Sequence, residues 1–333
     1  MKEYAKLTFD QVCDELACPK STLILFHTRP DGDAVGSAFG LKLLLEAAGS
    51  RCWCVCTNEV PQRLNFLSEG IQASALTDSI PEDFKPERIV TVDTASPSQL
   101  GDLLAPFGDK IDMMIDHHVK GEPYADYYVA TGVAAAGEIV FDLSRAFLKR
   151  GIIKKLPEKL DFCLYAAISS DTGCFKYSNV TPQTHIRSAE IMNSGIDTAR
   201  INQLLFDSKS MEVLAVEKAG FDTLKMFHNR KIAVVFFTYD MKQKLGVLDE
   251  HLETLIDVAR SVEGVDVAVA VRQTGPEKVF RVSTRSVSNV DVSVVCSYFG
   301  GGGHVRAAGC TVIADSIEHV ADLVVGQIEK QMR

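Results

Sequence analysis

The sequence predicts an α/β protein of two domains: an N-terminal domain built on a parallel sheet and a smaller C-terminal α/β domain, with a cleft between them. Three observations carry this expectation. At 333 residues the chain exceeds the usual size of one hydrophobic core. Short apolar runs recur in the first half, each followed by a polar loop and then a helical pattern, as in sheets wound with helices. Beyond residue 195 the alternation of elements changes and starts anew.

The elements follow in order. Thr22 to Phe26 reads as a strand, His27 to Asp33 as a loop, and Ala34 to Ala48 as a helix, because Leu41, Leu44, Leu45 and Ala48 recur at helical spacing before Gly49. Arg88 to Val92 and Ile111 to Ile115 repeat the strand pattern, and each runs into an aspartate, Asp93 and Asp116. Residues 134–150 and 160–169 are helical by periodicity, and the second leads into Asp171-Thr172-Gly173. The domains are expected at 1–195 and 213–333, joined by a linker over 196–212 that would act as a hinge. The second domain should hold a helix over 212–227, a strand over 231–238, a helix over 250–260, strands over 265–272 and 279–285, and a closing strand and amphipathic helix.

Composition narrows the classes of function. A net charge of −9 opposes a chain that coats long nucleic acid, since such binders carry broad basic stripes. It leaves room for a short nucleotide held by metals and local arginines. No uninterrupted apolar stretch approaches the ~20 residues of a membrane helix, and the charged start Met1 to Lys6 carries no apolar signal core, so a cytoplasmic protein away from membranes is expected. Nine cysteines without a CxxC pair point to a reducing compartment. Cys52, Cys54 and Cys56 would share one face of a strand, more readily as buried apolar groups than as a zinc site.

Four segments carry the chemistry: His27-Thr28-Arg29-Pro30-Asp31-Gly32-Asp33, Asp93 after Val92, Asp116-His117-His118, and Asp171-Thr172-Gly173. Taken alone, an Asp-Gly-Asp is ordinarily a solvated turn, a His-His pair is ordinarily on the surface, and an aspartate such as Asp93 often merely caps a helix. Together, each at the end of an apolar element, they place hard oxygen and imidazole ligands where one pocket can collect them. That donor set suits manganese, magnesium or zinc, and a pair of cations forms a clamp for in-line attack on phosphorus. Asp93 could bridge two ions, Asp171 would complete the ligand set of the second ion, and one imidazole of His117 and His118 would reach a metal while the other meets phosphate. In the second half, Gly300 to Gly303 followed by His304 admits close backbone approach and an anion nest of free N–H groups. Arg285, with Ser286 beside it, offers a planar fork for phosphate.

These segments together resemble the DHH phosphoesterase superfamily, whose triplet stands here as Asp116-His117-His118. Arg285-Ser286 and Gly300 to Gly309 resemble its DHHA1 substrate-binding domain. The resemblance implies that His27, Asp31 and Asp93 hold one manganese, with magnesium as the alternative metal, and that Asp33, Asp93, His117 and Asp171 hold a second. It implies His118 near the scissile phosphate, Asp116 orienting, and Arg285, Ser286, Gly301, Gly302, Gly303 and His304 on the substrate. The group most similar in length and domain pairing is the bifunctional oligoribonucleases that also remove the 3′-phosphate of 3′-phosphoadenosine 5′-phosphate. By that resemblance, a metal-activated water attacks phosphorus in short RNA, linear dinucleotides or that phosphonucleotide, and a homodimer is one expected assembly. The competing readings are a cyclic-dinucleotide phosphodiesterase, a RecJ-type exonuclease, an inorganic pyrophosphatase or polyphosphatase, and a nucleotide-sensing module without turnover.

Overall fold

The computed structural model describes residues 3–68 and 80–332, and of His304 the backbone alone. The chain divides into two units, Met1–Ser208 and Lys209–Arg333.

In the first unit, helix α1 (Phe9–Ala17) precedes strand β1 (Ser21–Leu25), helix α2 (Gly32–Ala47) and strand β2 (Arg51–Val55). Strands β3 (Arg88–Val92), β4 (Met113–Asp116) and β5 (Asp126–Val129) follow, with short helix α3 (Leu104–Phe107) between the first two. All pairings are parallel, in the order β2-β1-β3-β4-β5. The side-chain period of two sorts the strand residues: Ile24 faces one core and Leu23 and Leu25 the other. Both faces are covered, so the strands read as continuous apolar runs instead of alternating ones.

Helices α4 (Ala136–Lys149), α5 (Leu160–Asp171) and α6 (Pro182–Met192) complete the larger core, in which Val140, Leu143, Phe147, Leu160 and Leu164 are fully buried. Cys52, Cys54 and Cys56 lie in that same core, on one face, as buried thiols; burial pushes Cys52 up to about 12 and Cys56 up to about 11. Helix α7 (Thr198–Asn202) and a π turn (Gln203–Asp207) occupy much of the stretch between 196 and 212, and both are anchored to this core by the buried Ile201 and Leu205.

The second unit opens with helix α8 (Met211–Thr223), which stops short of the expected end at 227. Residues Lys225–Phe227 form strand β6 instead, because an antiparallel partner, β7 (Ile232–Phe237), lies across a turn of left-handed residues at His228, Asn229 and Arg230. Helices α9 (Tyr239–Leu245) and α10 (Leu255–Arg260), strands β8 (Val267–Gln273) and β9 (Val279–Ser286), helix α11 (Val292–Tyr298), strands β10 (Gly302–His304) and β11 (Ala307–Ile313) and helix α12 (Ile317–Gln331) complete it. The mixed sheet runs β10-β11-β9-β8-β7-β6, with only β7 and β8 parallel. Ile232, Val234 and Phe236 pack with Val320 and Val324 of α12, whereas Ala233, Val235 and Phe237 pack with Leu255 and Ala259 of α10.

Candidate metal centre

In an open parallel sheet, ligands gather beyond the carboxyl ends of strands, where the strand order reverses. Here the reversal falls between β1 and β3. His27 follows β1, Asp93 follows β3, and Asp116 ends β4 with His117 and His118 just beyond, so the topology alone brings three of the four segments to one crevice.

The fourth arrives by helix packing. Gly36 of α2 lies so close to α5 that a Cβ there would stand 2.5 Å from the Cys163 carbonyl oxygen. That contact sets the start of α2, with Asp31 and Asp33, beside the end of α5, where Asp171 is the last helical residue. Asp31 is the N-cap of α2: its Oδ1 accepts from the amides of Asp33 and Ala34, each at 3.0 Å. Asp33 is fully buried, and its carboxylate accepts from Ser37 Oγ (2.7 Å) and from the Ala136 and Gly137 amides at the start of α4 (2.7 and 3.0 Å).

Asp93 stands at the centre, 2 % exposed and in the left-handed region at φ 53°, a strained backbone for a non-glycine residue. Its Oδ2 lies 3.6 Å from His27 Nε2, and its Oδ1 lies 3.4 Å from His117 Nε2. His27 Nε2 is also 3.8 Å from Asp31 Oδ1, and His117 Nε2 is 3.7 Å from Asp33 Oδ2 and 3.8 Å from Asp171 Oδ2. These gaps exceed the usual N–H···O distance of about 3.0 Å. They fall within the span that a single ion with ligands at about 2.1 Å can bridge.

Among the described residues, three groups of ligand atoms meet this description: His27, Asp31 and Asp93; Asp33, His117 and Asp171; and Asp93, His117 and His118. In the third, His118 Nδ1 is already 2.9 Å from Asp116 Oδ1, so that nitrogen is occupied. The first two groups fit divalent cations better, because their imidazole Nε2 atoms face only carboxylates. His27 Nδ1, at 2.9 Å from the Thr28 carbonyl, is placed to donate to it, which leaves Nε2 as the coordinating atom. The buried Asp93 Oδ1 has no hydrogen-bond partner among the described residues, as expected of an atom placed for a cation.

The electrostatics agree. Burial alone would push His27 and His117 down, but attraction from Asp31 and Asp93 raises His27 to about 11, and Asp93, Asp33 and Asp171 raise His117 to about 10. Burial and the neighbouring carboxylates lift Asp171 to about 7, and Asp33 is raised well above the carboxylate range by burial first and Asp93 next. Asp93 resists the upward push of its burial and is held below the usual range by His117 and His27. Without a cation, protons on the two imidazoles supply the positive charge that the carboxylate cluster demands.

The residues expected to meet the substrate lie in the second unit. His304, Ala307 and Arg285 occupy one cross-strand row of β10, β11 and β9. Arg285 Nη1 donates to the Thr284 carbonyl at 3.0 Å, and buried Ser286 donates to the Ser288 carbonyl at 3.3 Å. The glycine run corrects one expectation. The Gly300 and Gly301 amides donate to the Ser297 and Cys296 carbonyls at the end of α11, so they are not free to form an anion nest. Gly301 is required instead by close approach, since a Cβ there would lie 2.3 Å from the Gly309 carbonyl oxygen. Ser37 and the amides of Ala136 and Gly137, which hold Asp33, carry no signal in the sequence; no motif separates them from ordinary helix residues.

A fold with this strand order, an Asp93-centred cluster and the Asp116-His117-His118 triplet defines a metal-dependent phosphoesterase. Residues 21–168 match the DHH family N-terminal domain and residues 223–330 match the DHHA1 domain, so the chain belongs to the DHH phosphoesterases that carry a DHHA1 domain. It is 27% identical over 293 residues to the bifunctional oligoribonuclease and PAP phosphatase NrnA of Bacillus subtilis, covering 87% of this chain and 89% of that protein. It is also 27% identical over 311 residues to the NrnA of Thermus thermophilus, covering 93% and 89%. Among solved structures, an exopolyphosphatase-related protein of Bacteroides fragilis shares the fold, with a TM-score of 0.86 at 21% identity over 97% of this chain and 95% of that one.

Proposed function

We propose that this enzyme hydrolyses short oligoribonucleotides and linear dinucleotides to mononucleotides, and 3′-phosphoadenosine 5′-phosphate to AMP, with manganese as its cation. The observation that carries the substrate class is the similarity to the oligoribonuclease and PAP phosphatase relatives across both domains and nearly nine-tenths of either chain. Nine free cysteines, seven of them buried, support a reducing cytoplasmic setting.

In this reading His27, Asp31 and Asp93 hold one cation, and Asp33, Asp93, His117 and Asp171 hold another. Bound there, two cations would lower the pKa of a water and stabilise the charge that develops at phosphorus. The remaining work belongs to side chains. Asp116, fully buried, fixes His118 through Nδ1 and raises its pKa mainly by that hydrogen bond, so Nε2 keeps a proton to donate to a phosphate oxygen. Asp33 is held by Ser37 and two amides, which pre-sets its geometry before any ligand arrives. Arg285, Ser286, Gly301, Gly302, Gly303 and His304 are assigned to the nucleotide.

Purified protein with manganese, offered 3′-phosphoadenosine 5′-phosphate, linear diadenylate, a five-nucleotide RNA and pyrophosphate in parallel, tests the substrate class. Release from the nucleotides and not from pyrophosphate is the expected result. Activity confined to pyrophosphate overturns the substrate assignment and leaves the metal centre standing.

A further inference from the structure

Just past Asp171 the chain makes a turn that the metal ligands do not explain. Gly173, Cys174 and Phe175 are all left-handed, at φ 56°, 59° and 60°, and two of them have side chains that disfavour that region. The turn is held from several sides. Thr172 Oγ1 accepts from the Phe175 amide at 3.0 Å, the Thr172 carbonyl accepts from the Lys176 and Tyr177 amides at 2.9 and 3.1 Å, and the Asn179 side chain donates to the Asp171 carbonyl at 3.0 Å. Phe175 turns inward and stacks on His185, with centroids 5.3 Å apart and planes 22° apart.

Tyr177 turns outward. Its ring lies across Gly173, where a Cβ would meet ring carbons Cζ, Cε2 and Cε1 at 2.3, 2.5 and 2.6 Å. Gly173 is thereby buried, yet Tyr177 itself is 48 % exposed, and no described residue hydrogen-bonds its hydroxyl. An aromatic ring backed by main chain on one side and open to water on the other is a stacking platform. Stacking is tolerant of base identity, because every base has a π-face.

We propose that Tyr177 stacks on a nucleobase of the substrate, next to the phosphate that is cleaved. This rests on the nucleotide reading above and deepens it: the DHH domain would grip a base as well as the metals, and so favour nucleotides over inorganic phosphates. The strained turn then has a use, since it lays the Tyr177 ring over Gly173, two residues beyond Asp171.

The test compares wild type with Tyr177→Ala, Tyr177→Leu, Tyr177→Phe and Tyr177→Trp on linear diadenylate and on the same molecule with both bases removed, with manganese affinity measured for each protein. Tyr177→Leu keeps an apolar cover on Gly173 but has no π-face. The Ala and Leu variants should raise KM for diadenylate about tenfold with kcat held, in line with the value of one stacked base. Phe and Trp should keep the wild-type KM, and the abasic analogue should be hydrolysed alike by all five proteins. An unchanged KM in the Ala and Leu variants overturns the stacking role alone, as does an equal loss on the abasic analogue or a Leu variant that behaves as wild type. A wild-type enzyme inert toward both compounds overturns the substrate reading, and the stacking site with it.

Discussion

Oδ1 of Asp93 stands 3.4 Å from Nε2 of His117, with no hydrogen bond completing it, while the same carboxylate turns Oδ2 toward His27 at 3.6 Å. One side chain thus faces two imidazoles through two different oxygens, the arrangement a bridging ligand requires.

Asp93→Asn should therefore damage both cation sites at once. The expected result is loss of turnover by a hundredfold or more, roughly the scale set by disrupting metal-centre groups, with manganese binding reduced at both sites and an unchanged circular dichroism spectrum. Retained activity removes Asp93 from the bridging position.

Cation binding should release protons. His27 and His117 are raised to about 11 and about 10, so both carry protons at neutral pH that a cation must displace. Calorimetric manganese titrations in buffers of different ionisation heat should show proton release and an affinity that rises with pH. The chelated protein should behave in the opposite sense. The raised imidazole values stabilise its fold fully below the ordinary value of 6.5, and that contribution is lost as pH climbs through about 10 to 11. Asp171, raised from 3.8 to about 7, adds a further loss between those two values as it is forced to ionise. Asp93, held low, is ionised throughout and contributes no neutral-range slope. Melting temperature with chelator present should accordingly fall as pH rises from 4 to 10 (values bounded by the ordinary carboxylate and raised imidazole values), and a flat profile would refute the cluster's charge balance.

Asp116→Asn should weaken catalysis through His118. Loss of the charged partner lowers the His118 pKa, so the limb of the pH–rate profile on which His118 loses its proton should move to lower pH. The rate should drop about 10- to 100-fold while manganese stoichiometry stays the same. A reduced stoichiometry would instead make His118 a metal ligand.

Gly36→Ala tests how α2 reaches α5. The new methyl would meet the Cys163 carbonyl oxygen at 2.5 Å and Ala167 Cβ at 3.0 Å, so the helices must part. Overpacking of this kind costs about 1–3 kcal/mol, and thermal unfolding should register it together with weaker manganese binding at the site of Asp33 and Asp171. Gly132→Ala, where a Cβ meets nothing within 4 Å, serves as the control.

The strands and most helices were legible because their apolar residues recur with the right period. β3 begins and ends as expected at Arg88 and Val92, and α5 begins at Leu160 but carries on to include Asp171. The end of α8 was not legible, because Lys225–Phe227 leaves the helix for a strand partner that local propensity does not encode. The glycine run was misjudged for a similar reason. Four glycines in a row announce backbone freedom, but only the packed structure shows the Gly300 and Gly301 amides bonded back to α11.

By itself the sequence determined the donor chemistry: which aspartates and histidines exist, and that each follows an element able to end at one side of a sheet. Spacing along the chain encodes no distance between Asp33 and Asp171, or between Asp93 and His117. Those depend on strand order β2-β1-β3-β4-β5 and on the close contact of α2 with α5 at Gly36. The tertiary structure decided that Asp93 presents an oxygen to each imidazole, that Asp33 is held by the start of α4, and that Tyr177 lies outward over Gly173. The physical reason is that such contacts join residues far apart in the chain, and their geometry is set by packing and backbone hydrogen bonds that no local pattern records.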